Sequence, residues 1–512
     1  MTVDVIIVGG GGSGLACAAA AAQRGLDVVV LEKRPAPGGT TGIAIGSFTA
    51  SRTKWQREAG IDDDPAEHER DAGQFGPPEH QRLNNDSLRQ FFLEHGADTL
   101  AWLEQLGLSF HGPHPEPPNR VPRMHNVVPN AKAYIAALQA ELSRLGGRLI
   151  CDADVQSLMR DDPEQPAAVT GVTYLRHGKT ETLRARLAVV LAAGDYAASP
   201  ELIGRHRGEE FTCIEGINAH ATGDGHKLAE QAGAQLVNMQ ITYGPELRFV
   251  PPPREPFTQL LPASGSSMRV MGWLARRAPK WIIRRLIKRL LVTWQHPEDA
   301  LFEDGAILLN QQGERFCNEL QSPAREIAVA RQTGKVGYVL LDQRLVRRYE
   351  AWPHFISTAP EIAYAYASDY LRLRPDIAVA GSLANVCQRR GLDPARVAET
   401  LRSYHAQLET GADPYGRRDG PADAAMDASW LLLGPLKAYF TTTEGGVAIN
   451  RQFQALDALG RAIPRLYAVG QNGLGGMVLW GHGLHIAWAI TSGRLLGEQL
   501  GTTSGTTQPN ET

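Results

Sequence analysis

The residues with the clearest chemical signature form a glycine loop near the amino terminus. Gly9, Gly11 and Gly14 have the spacing G-x-G-x-x-G, and Gly12 and Ser13 lie between the last two. Glycines allow a tight turn and a close approach of the backbone to a pyrophosphate, and a helix that begins there points free N–H groups at the phosphates. The pattern predicts a dinucleotide-binding site.

The elements needed around that loop are present on both sides of it. Residues 3–8 are an apolar run typical of a buried strand, and residues 15–22 are an alanine-rich run that can pack closely on a sheet. A second apolar run, 28–31, ends at Glu32, 18 residues after Gly14. An acidic side chain there can accept hydrogen bonds from a ribose diol, which argues against a 2′-phosphate.

A second glycine pair follows soon after, at Gly38 and Gly39, and Thr40 and Thr41 come next. Simple NAD dehydrogenases lack this pair, and the pattern resembles that of flavoproteins, in which the loop runs under the FAD pyrophosphate. Two later apolar runs also end in glycine, where the backbone can cross beneath a long cofactor: 187–195, with Ala193 and Gly194, and 465–472, with Gly470 and Gln471.

Composition excludes several other classes of site. Lys and Arg number 52 against 55 Asp and Glu, so no global basic field recruits nucleic acid. The five cysteines are scattered without a CxxC pair, which argues against a disulfide framework, a zinc site, an iron–sulfur cluster or attached haem. Residues 5–22 lack the basic start of a signal peptide. We therefore expect free thiols in a reducing cytoplasm.

These motifs, in this order, resemble the flavoprotein family of fumarate reductases, succinate dehydrogenase flavoprotein subunits and 3-ketosteroid dehydrogenases. Further motifs of the resemblance are 222–225, 305–310, 445–446 and 466–470. The resemblance implies an α/β chain with a discontinuous Rossmann-like FAD-binding domain, 1–243 and 438–500, and an inserted α+β capping domain, 244–437. We expect the tail, 501–512, to be disordered because it is rich in Thr, Ser and Gly.

The resemblance also implies FAD as the cofactor. Binding is expected to be noncovalent, because residues 40–43 read Thr-Thr-Gly-Ile where covalent members carry a flavin-linking histidine. The residues implied to bind FAD are Gly9, Gly11, Gly12, Ser13, Gly14, Glu32, Lys33, Gly38, Gly39, Thr40, Thr41, Val155, Ala193, Gly194, Asp224, Gly470, Gln471, Gly483 and Leu484. Asp224 has a second interpretation, as the cap of a helix that begins near Gly225.

Two dicarboxylate-binding groups of that family are missing. Residues 479–485 contain no counterpart of its Asn-Arg-Leu-Gly-Gly arginine, and residues 441–444 lack its histidine before the late glycine pair. We therefore expect a neutral, largely apolar substrate, such as a ketosteroid or cyclic ketone, to be dehydrogenated or reduced beside its carbonyl. Two alternatives stay open: an organic-acid reductase with a different arginine, and a membrane-associated electron-transfer flavoprotein without substrate chemistry.

Several side chains could handle the proton of such a reaction. The candidates are Tyr243, Tyr439, His482, His485 and His125, together with Arg325, which with Glu326 has nearly the spacing of the family's proton-donating arginine. Packing is the alternative for the two late histidines, and a surface salt bridge is the alternative for the arginine. His111 and His114 lie in a proline-rich stretch, 111–122, for which a loop is favoured over a metal site.

Electrons must come from outside the chain, because no second nucleotide fingerprint, haem motif or cluster motif is present. The partner is expected to be a protein, a quinone or a diffusible molecule.

Residues 268–294 form a basic stretch, with eight Lys or Arg and no Asp or Glu. The amphipathic pattern of 281–291 and the interspersed tryptophans fit a membrane-surface helix. A cap helix packed on its own domain or on a partner subunit is the favoured alternative, because a charged polar face is common on surface helices.

Overall fold

Two sheets with their own hydrophobic cores organise the chain. They are seen in a computed structural model. The structure describes residues 1–161, 168–253, 261, 266–277, 279, 288, 289, 292, 293, 296–359, 363–418 and 429–504. Its α-helices are Gly12–Gln23, Gly39–Ile43, Lys54–Glu58, Pro65–Ala72, Pro78–Gln81, Asp86–Gln105, Lys132–Arg144, Pro200–His206, Asp224–Gln231, Ser266–Arg277, Ala300–Glu303, Ala324–Ala330, Gln343–Arg348, Ala367–Leu373, Leu383–Arg389, Pro394–Thr410 and Leu484–Ser504.

The first sheet has five parallel strands and three antiparallel ones. The parallel strands stand in the order Ala462–Ala468, Lys179–Leu191, Thr2–Val8, Val28–Leu31 and Arg148–Ile150. The antiparallel strands are Gln454–Leu456, Val169–Arg176 and Ala153–Arg160. Helices cover the sheet, so the apolar runs are buried on both faces. The strands predicted at 3–8 and 28–31 are confirmed, and the strand order is Rossmann-like.

Glycines bring the two ends of the chain together. The first helix, Gly12–Gln23, packs along the last helix, Leu484–Ser504, where Gly493, Gly497 and Gly501 stand one turn apart. A Cβ at Gly493 would lie 2.3 Å from the backbone oxygen of Ser13. No larger residue allows this approach of the two helices. The last helix also includes residues 501–504, so the predicted disordered tail begins too early; residues 505–512 lie outside the described residues.

The second sheet is built around the long strand Trp430–Phe440, which is apolar and largely buried. Its other strands are Gly337–Leu341, Glu246–Phe249, Ala378–Gly381, Glu215–Gly216 and Ile307–Leu309. The predicted boundary between 437 and 438 lies inside the central strand, because the alternation of buried residues continues to Phe440. After Phe440 the chain returns toward the first sheet and the helices that cover it.

A small third sheet lies beside the first, with strands in the order Ser47–Thr49, Met124–Val128 and Ser109–His114. The loop predicted for 111–122 is therefore wrong at its start, since His111 and His114 lie on the outer strand. An edge strand tolerates the intervening proline because its N–H side needs no partner. The two imidazoles stack on each other, with Nδ1 of His111 2.7 Å from Nε2 of His114.

The basic stretch 268–294 is described only in part. Helix Ser266–Arg277 packs on the small sheet with Met268 buried, and its opposite side exposes Val270, Trp273 and Leu274. Most of the apolar face predicted at 281–291 lies outside the described residues. The membrane-surface and cap-packing alternatives both stay predictions.

One cation of that stretch contacts the cap. The Nζ atom of Lys288 lies 2.7 Å from Asp369 Oδ2 and 5.0 Å from the ring centroid of Tyr366. Among the helices that could be searched, none combines the length and the apolar character needed to span a bilayer.

Candidate active site

The parallel strands of the first sheet end together at one edge. The Gly9 N–H donates to Leu31 O at 2.8 Å, and the Val469 N–H donates to Leu191 O at 3.0 Å. Loops that follow these strands are therefore neighbours, although they are far apart in the chain. Ligands of open α/β sheets bind at this carboxyl edge.

The glycine loop leaves its backbone open at this edge. Gly9 has a φ of +108°, and a Cβ there would lie 2.5 Å from Ala192 O. At Gly14 a Cβ would lie 2.0 Å from Gly9 O. Gly11 forms an isolated parallel bridge with Gly38, so the two glycine loops lie side by side. No side chain caps the first helix, which leaves its first N–H groups for an anionic ligand.

Two other segments pack against the glycine loop 9–14. A Cβ at Gly12 would lie 2.6 Å from Oγ1 of Thr41, in the short helix Gly39–Ile43. A Cβ at Gly470 would lie 2.5 Å from Oγ of Ser13. The structure thus brings the predicted glycine and threonine residues of three separate segments to one place.

Glu32 is held at the end of the second strand by backbone donors. Its Oε2 accepts from the Gly10 N–H at 2.8 Å, and its Oε1 accepts from the Arg34 N–H at 2.9 Å. Across the sheet edge, Gly194 has a φ of +82° and open space where a Cβ would stand. A narrow glycine-lined cleft with a fixed carboxylate at one end fits a dinucleotide with an unphosphorylated ribose.

Lys33 and Asp224 contact each other rather than standing free. Lys33 Nζ lies 2.6 Å from Asp224 Oδ2 and donates to Thr222 Oγ1 at 2.7 Å. The helix predicted near Gly225 is present as Asp224–Gln231, but Gly223, with a φ of +74°, occupies its cap position. The carboxylate of Asp224 is turned to the lysine, so the predicted cap by that side chain is wrong.

Three other residues predicted to bind the cofactor, Ala193, Gln471 and Val155, make contacts within the protein. The Ala193 N–H donates to Asn472 Oδ1 at 2.7 Å, and Gln471 Nε2 donates to Thr443 O. Val155 is buried on an antiparallel strand of the first sheet. These contacts tie the strand ends together beneath the cleft.

The last helix begins at the same cleft. Gly483, with a φ of +81°, precedes Leu484 and could carry no Cβ, which would lie 2.8 Å from Thr49 Oγ1. That hydroxyl donates to the backbone oxygen of His482 at 2.7 Å. This hydrogen bond anchors the turn before the last helix to strand Ser47–Thr49 of the small sheet.

A buried acidic cluster lies beside this turn. His485 Nε2 lies 2.9 Å from Glu444 Oε1, and Glu444 Oε2 accepts from the Leu479 N–H at 3.0 Å. Asp195 Oδ2 accepts from Thr442 Oγ1 at 3.2 Å. Burial raises the pKa of the Asp195 carboxyl to about 6, and the nearby charge of Glu444 acts in the same direction.

A cavity of about 320 Å³ opens next to the cluster, between the first body and the cap. The described residues that line it are Phe75, Glu116, Pro117, Tyr243, Gly244, Glu246, Trp480 and His482. Two of them form an ion pair, with His482 Nδ1 2.5 Å from Glu116 Oε1. Desolvation lowers the pKa of His482, but the bond to Glu116 and the charges of Glu116 and Glu246 outweigh it and raise that pKa.

Tyr243 lines this cavity and packs edge-on against Trp480, with ring centroids 5.4 Å apart. Burial, with a contribution from the charge of Glu246, raises the pKa of Tyr243 well above its usual range. The phenol is therefore neutral at ordinary pH. Arg248 donates to Glu246 Oε2 at 2.7 Å, which balances the second carboxylate of the lining.

Two other acid–base candidates are not in the described lining. Tyr439 lies across from Glu246 in the second sheet, and burial raises the pKa of its phenol to about 12. His125 is buried and lies 3.0 Å from Thr53 Oγ1, and burial lowers its pKa to about 4. Within the described ranges, no three His, Cys, Asp or Glu side chains converge as metal ligands would.

Arg325 lies in the core of the cap, at the start of helix Ala324–Ala330. Its guanidinium donates to Glu326 Oε1, to Asp299 Oδ1 and to the backbone oxygen of Glu319, at 2.7 to 3.0 Å. These contacts match the salt-bridge alternative, except that the arginine is buried rather than exposed. No described contact links it to the cavity lining.

Comparison with known proteins identifies the cofactor that the glycine cleft binds. A family model described as "FAD binding domain" matches residues 4–259 and 281–481. The chain belongs to this FAD-binding family. The resemblance predicted from the motifs is confirmed, and FAD is the cofactor whose pyrophosphate the glycine cleft fits. The protein is an FAD-dependent oxidoreductase.

Relatives and solved structures agree on the fold. A fumarate reductase (cytochrome) of Shewanella frigidimarina is 26% identical over 505 residues, covering 97% of this chain and 77% of that protein. The open conformation of a flavocytochrome c3 fumarate reductase aligns with a TM-score of 0.70 at 22% identity, covering 98% of this chain and 78% of that one. The 3-ketosteroid delta1-dehydrogenase from Sterolibacterium denitrificans aligns with a TM-score of 0.63 at 17% identity, covering 98% and 100%.

Sequence reasoning did not single out several charged residues that line the cavity or lie beside it. Glu116 lies in the proline-rich stretch, where only its position near three histidines could have drawn notice. Glu246 and Arg248 alternate on a strand, which is a weak signal of a common face. Glu444 stands in the segment that departs from the family, and its single carboxylate next to the glycine pair was a usable signal.

Proposed function

We propose that the protein transfers a hydride to or from a carbon–carbon bond beside a carbonyl, in a neutral and largely apolar substrate of ketosteroid or cyclic-ketone type. The charge balance of the cavity carries this proposal. Its described lining holds two carboxylates, Glu116 and Glu246, and no lysine or arginine. The nearby positive groups, His482 and Arg248, are each already paired with one of these carboxylates, so a carboxylate substrate would lack a bidentate cationic partner in this lining.

The remaining lining suits a ring system. Phe75, Pro117, Tyr243 and Trp480 present apolar surface, and about 320 Å³ lies within the usual range of small-molecule sites. The neutral phenol of Tyr243 can donate a hydrogen bond to a substrate carbonyl oxygen. Such a donor stabilises the negative charge that develops on that oxygen during transfer.

When bound, FAD supplies hydride chemistry at flavin N5. The glycine loop and the N-terminus of the first helix hold its pyrophosphate, and Glu32 binds the ribose diol. The absence of a histidine at residues 40–43 supports noncovalent binding. The cap, which begins near residue 244, contributes Gly244 and Glu246 to the cavity and so takes part in selecting the substrate. An external protein, quinone or diffusible molecule exchanges the electrons.

Reduction of an unsaturated organic acid is the second candidate, because a relative that covers 97% of the chain is a fumarate reductase. It would need Arg248 to exchange its partner Glu246 for a substrate carboxylate. That exchange would leave Glu246 beside the bound anion, so we place this activity second.

Anaerobic photoreduction of the purified flavoprotein followed by addition of acceptors tests the proposal. We expect rapid return of the oxidised flavin spectrum with neutral enones and slow return with unsaturated acids. The reverse order would favour the second candidate, and reoxidation by neither would favour an electron-transfer flavoprotein. Purification without a yellow chromophore would contradict the account altogether.

A further inference from the structure

We propose that Glu116 holds His482 as the imidazolium that gives the substrate carbon its proton during reduction. This inference rests on the proposed function and assigns its proton to one pair of residues. His482 is the catalytic residue, and Glu116 is the positioning residue that acts through it.

The geometry of the pair is specific. Glu116 Oε1 accepts two hydrogen bonds from the same residue, from the His482 backbone N–H at 2.7 Å and from its Nδ1 at 2.5 Å. The carboxylate side chain is 5% exposed, whereas the imidazole is 56% exposed and lines the cavity. With Nδ1 engaged, Nε2 is the nitrogen that can donate. The ring therefore touches both the substrate space and water.

The charges around His482 favour its protonated form. Glu116 and Glu246 raise its pKa, while Arg248 acts in the opposite direction. His296 also faces this group, and burial lowers the pKa of His296, which leaves it neutral near pH 7. The net direction is upward, so these charges hold the protonated ring to a higher pH than in a free histidine.

The other candidates are less suited to the role. The neutral phenol of Tyr243 has a strongly raised pKa and is a better hydrogen-bond donor than acid. Arg325 is held by two carboxylates and a backbone oxygen in the cap core.

The step balances with what the proposed function supplies. One alkene carbon receives the hydride with its electron pair from the reduced cofactor, which is oxidised. The π bond of the alkene breaks, and its electron pair forms the bond from the adjacent carbon to the proton that leaves Nε2 of His482. The neutral imidazole then takes a proton from water on its exposed side. In dehydrogenation the same nitrogen accepts the proton.

The test compares wild type with Glu116→Gln, which keeps the hydrogen-bond acceptor and removes the charge. Glu201→Gln is the matched control, since Glu201 pairs with Lys227 on the surface. NMR titration of isotope-labelled histidines measures the pKa of His482, whose signal is assigned by its loss in His482→Gln. In parallel, the rate of enone reoxidation of the photoreduced enzyme is followed against pH.

In Glu116→Gln we expect the midpoint of the His482 NMR titration to fall by about one pH unit or more. The pH above which the rate declines should fall by the same amount. Glu116→Asp should restore both midpoints toward wild type, and Glu201→Gln should change neither.

Three results would overturn the inference. An unmoved NMR midpoint would mean that Glu116 does not set the charge of His482. A moved midpoint with an unmoved rate profile would mean that another group is the acid. If Glu116→Gln does not fold, His482→Gln decides, and a rate profile that keeps its decline at high pH refutes the role. Failure of wild type with all neutral enones would instead refute the proposed function, and the proton-donor role with it.

Discussion

His485 Nε2 lies 2.9 Å from Glu444 Oε1, with the carboxylate fully buried. The two residues belong to segments 479–485 and 441–444, which both depart from the dicarboxylate-binding pattern of the family. The two segments that depart from the pattern are thus in contact, and a histidine–carboxylate pair joins the first turn of the last helix to segment 441–444.

The effects of changing His485 and Glu444 on thermal stability should not be additive. Glu444→Gln and His485→Asn should each lower the thermal midpoint, and the double variant should lose less than the sum, because either change breaks the same contact. Thermal unfolding of the FAD-loaded protein measures the cycle. Changes at the exposed Glu399–Arg402 pair provide the control and should have little effect. Strict additivity at the buried pair would contradict the contact.

Glu246→Gln should shift substrate preference toward carboxylates. The carboxylate of Glu246 balances Arg248, and its removal leaves a positive charge beside the cavity. We expect the KM for an unsaturated monocarboxylate to fall, on the order of tenfold, relative to that for a neutral enone. Steady-state kinetics with both substrates measures the ratio. An unchanged ratio would show that this pair does not select against anions.

The carboxyl of Asp195 should make the fold more stable at lower pH. Burial raises its pKa to about 6, above the ordinary value of the unfolded chain. The folded state therefore binds more protons between about pH 4 and 6, and stability falls as pH rises through that window. In Asp195→Asn this fall should be smaller than in wild type. Thermal midpoints from pH 4 to 8 measure the difference, and parallel curves would refute the raised pKa.

Gly493→Ala should weaken FAD retention and lower the thermal midpoint. Its Cβ would lie 2.3 Å from Ser13 O, so the last helix must move away from the glycine loop. Gly337→Ala is the control, because a Cβ there meets its nearest atom at 3.6 Å. Flavin absorbance per protein and a melting curve measure both effects. Equal behaviour of the two variants would contradict the close helix contact.

The local parts of the FAD site could be predicted because their signals are short-range. The run from Gly9 to Glu32 covers a strand, a turn, a helix and a second strand, and each leaves its own periodicity in the sequence. The later glycine-ended runs could be placed at the same sheet edge because parallel strands share one polarity.

The substrate side could be predicted only as a departure from a pattern. Glu116 and His482 are 366 residues apart and come from unrelated loops, so no periodicity links them. Arg325 and Glu326 had nearly the family's spacing, yet the other partners of the arginine, Asp299 and the Glu319 backbone oxygen, come from the tertiary packing of the cap. The cap boundary at 437 was missed because a buried strand of 11 residues crosses it without any change in composition.

The central claim, a preference for neutral substrates, is tested most directly with a matched pair of acceptors. A cyclic enone and the corresponding cyclic unsaturated carboxylate differ in charge but little in size. Stopped-flow reoxidation of the photoreduced enzyme gives a second-order rate constant for each. The account predicts a larger constant for the enone, by about tenfold or more. Equal constants, or a larger one for the carboxylate, would contradict it.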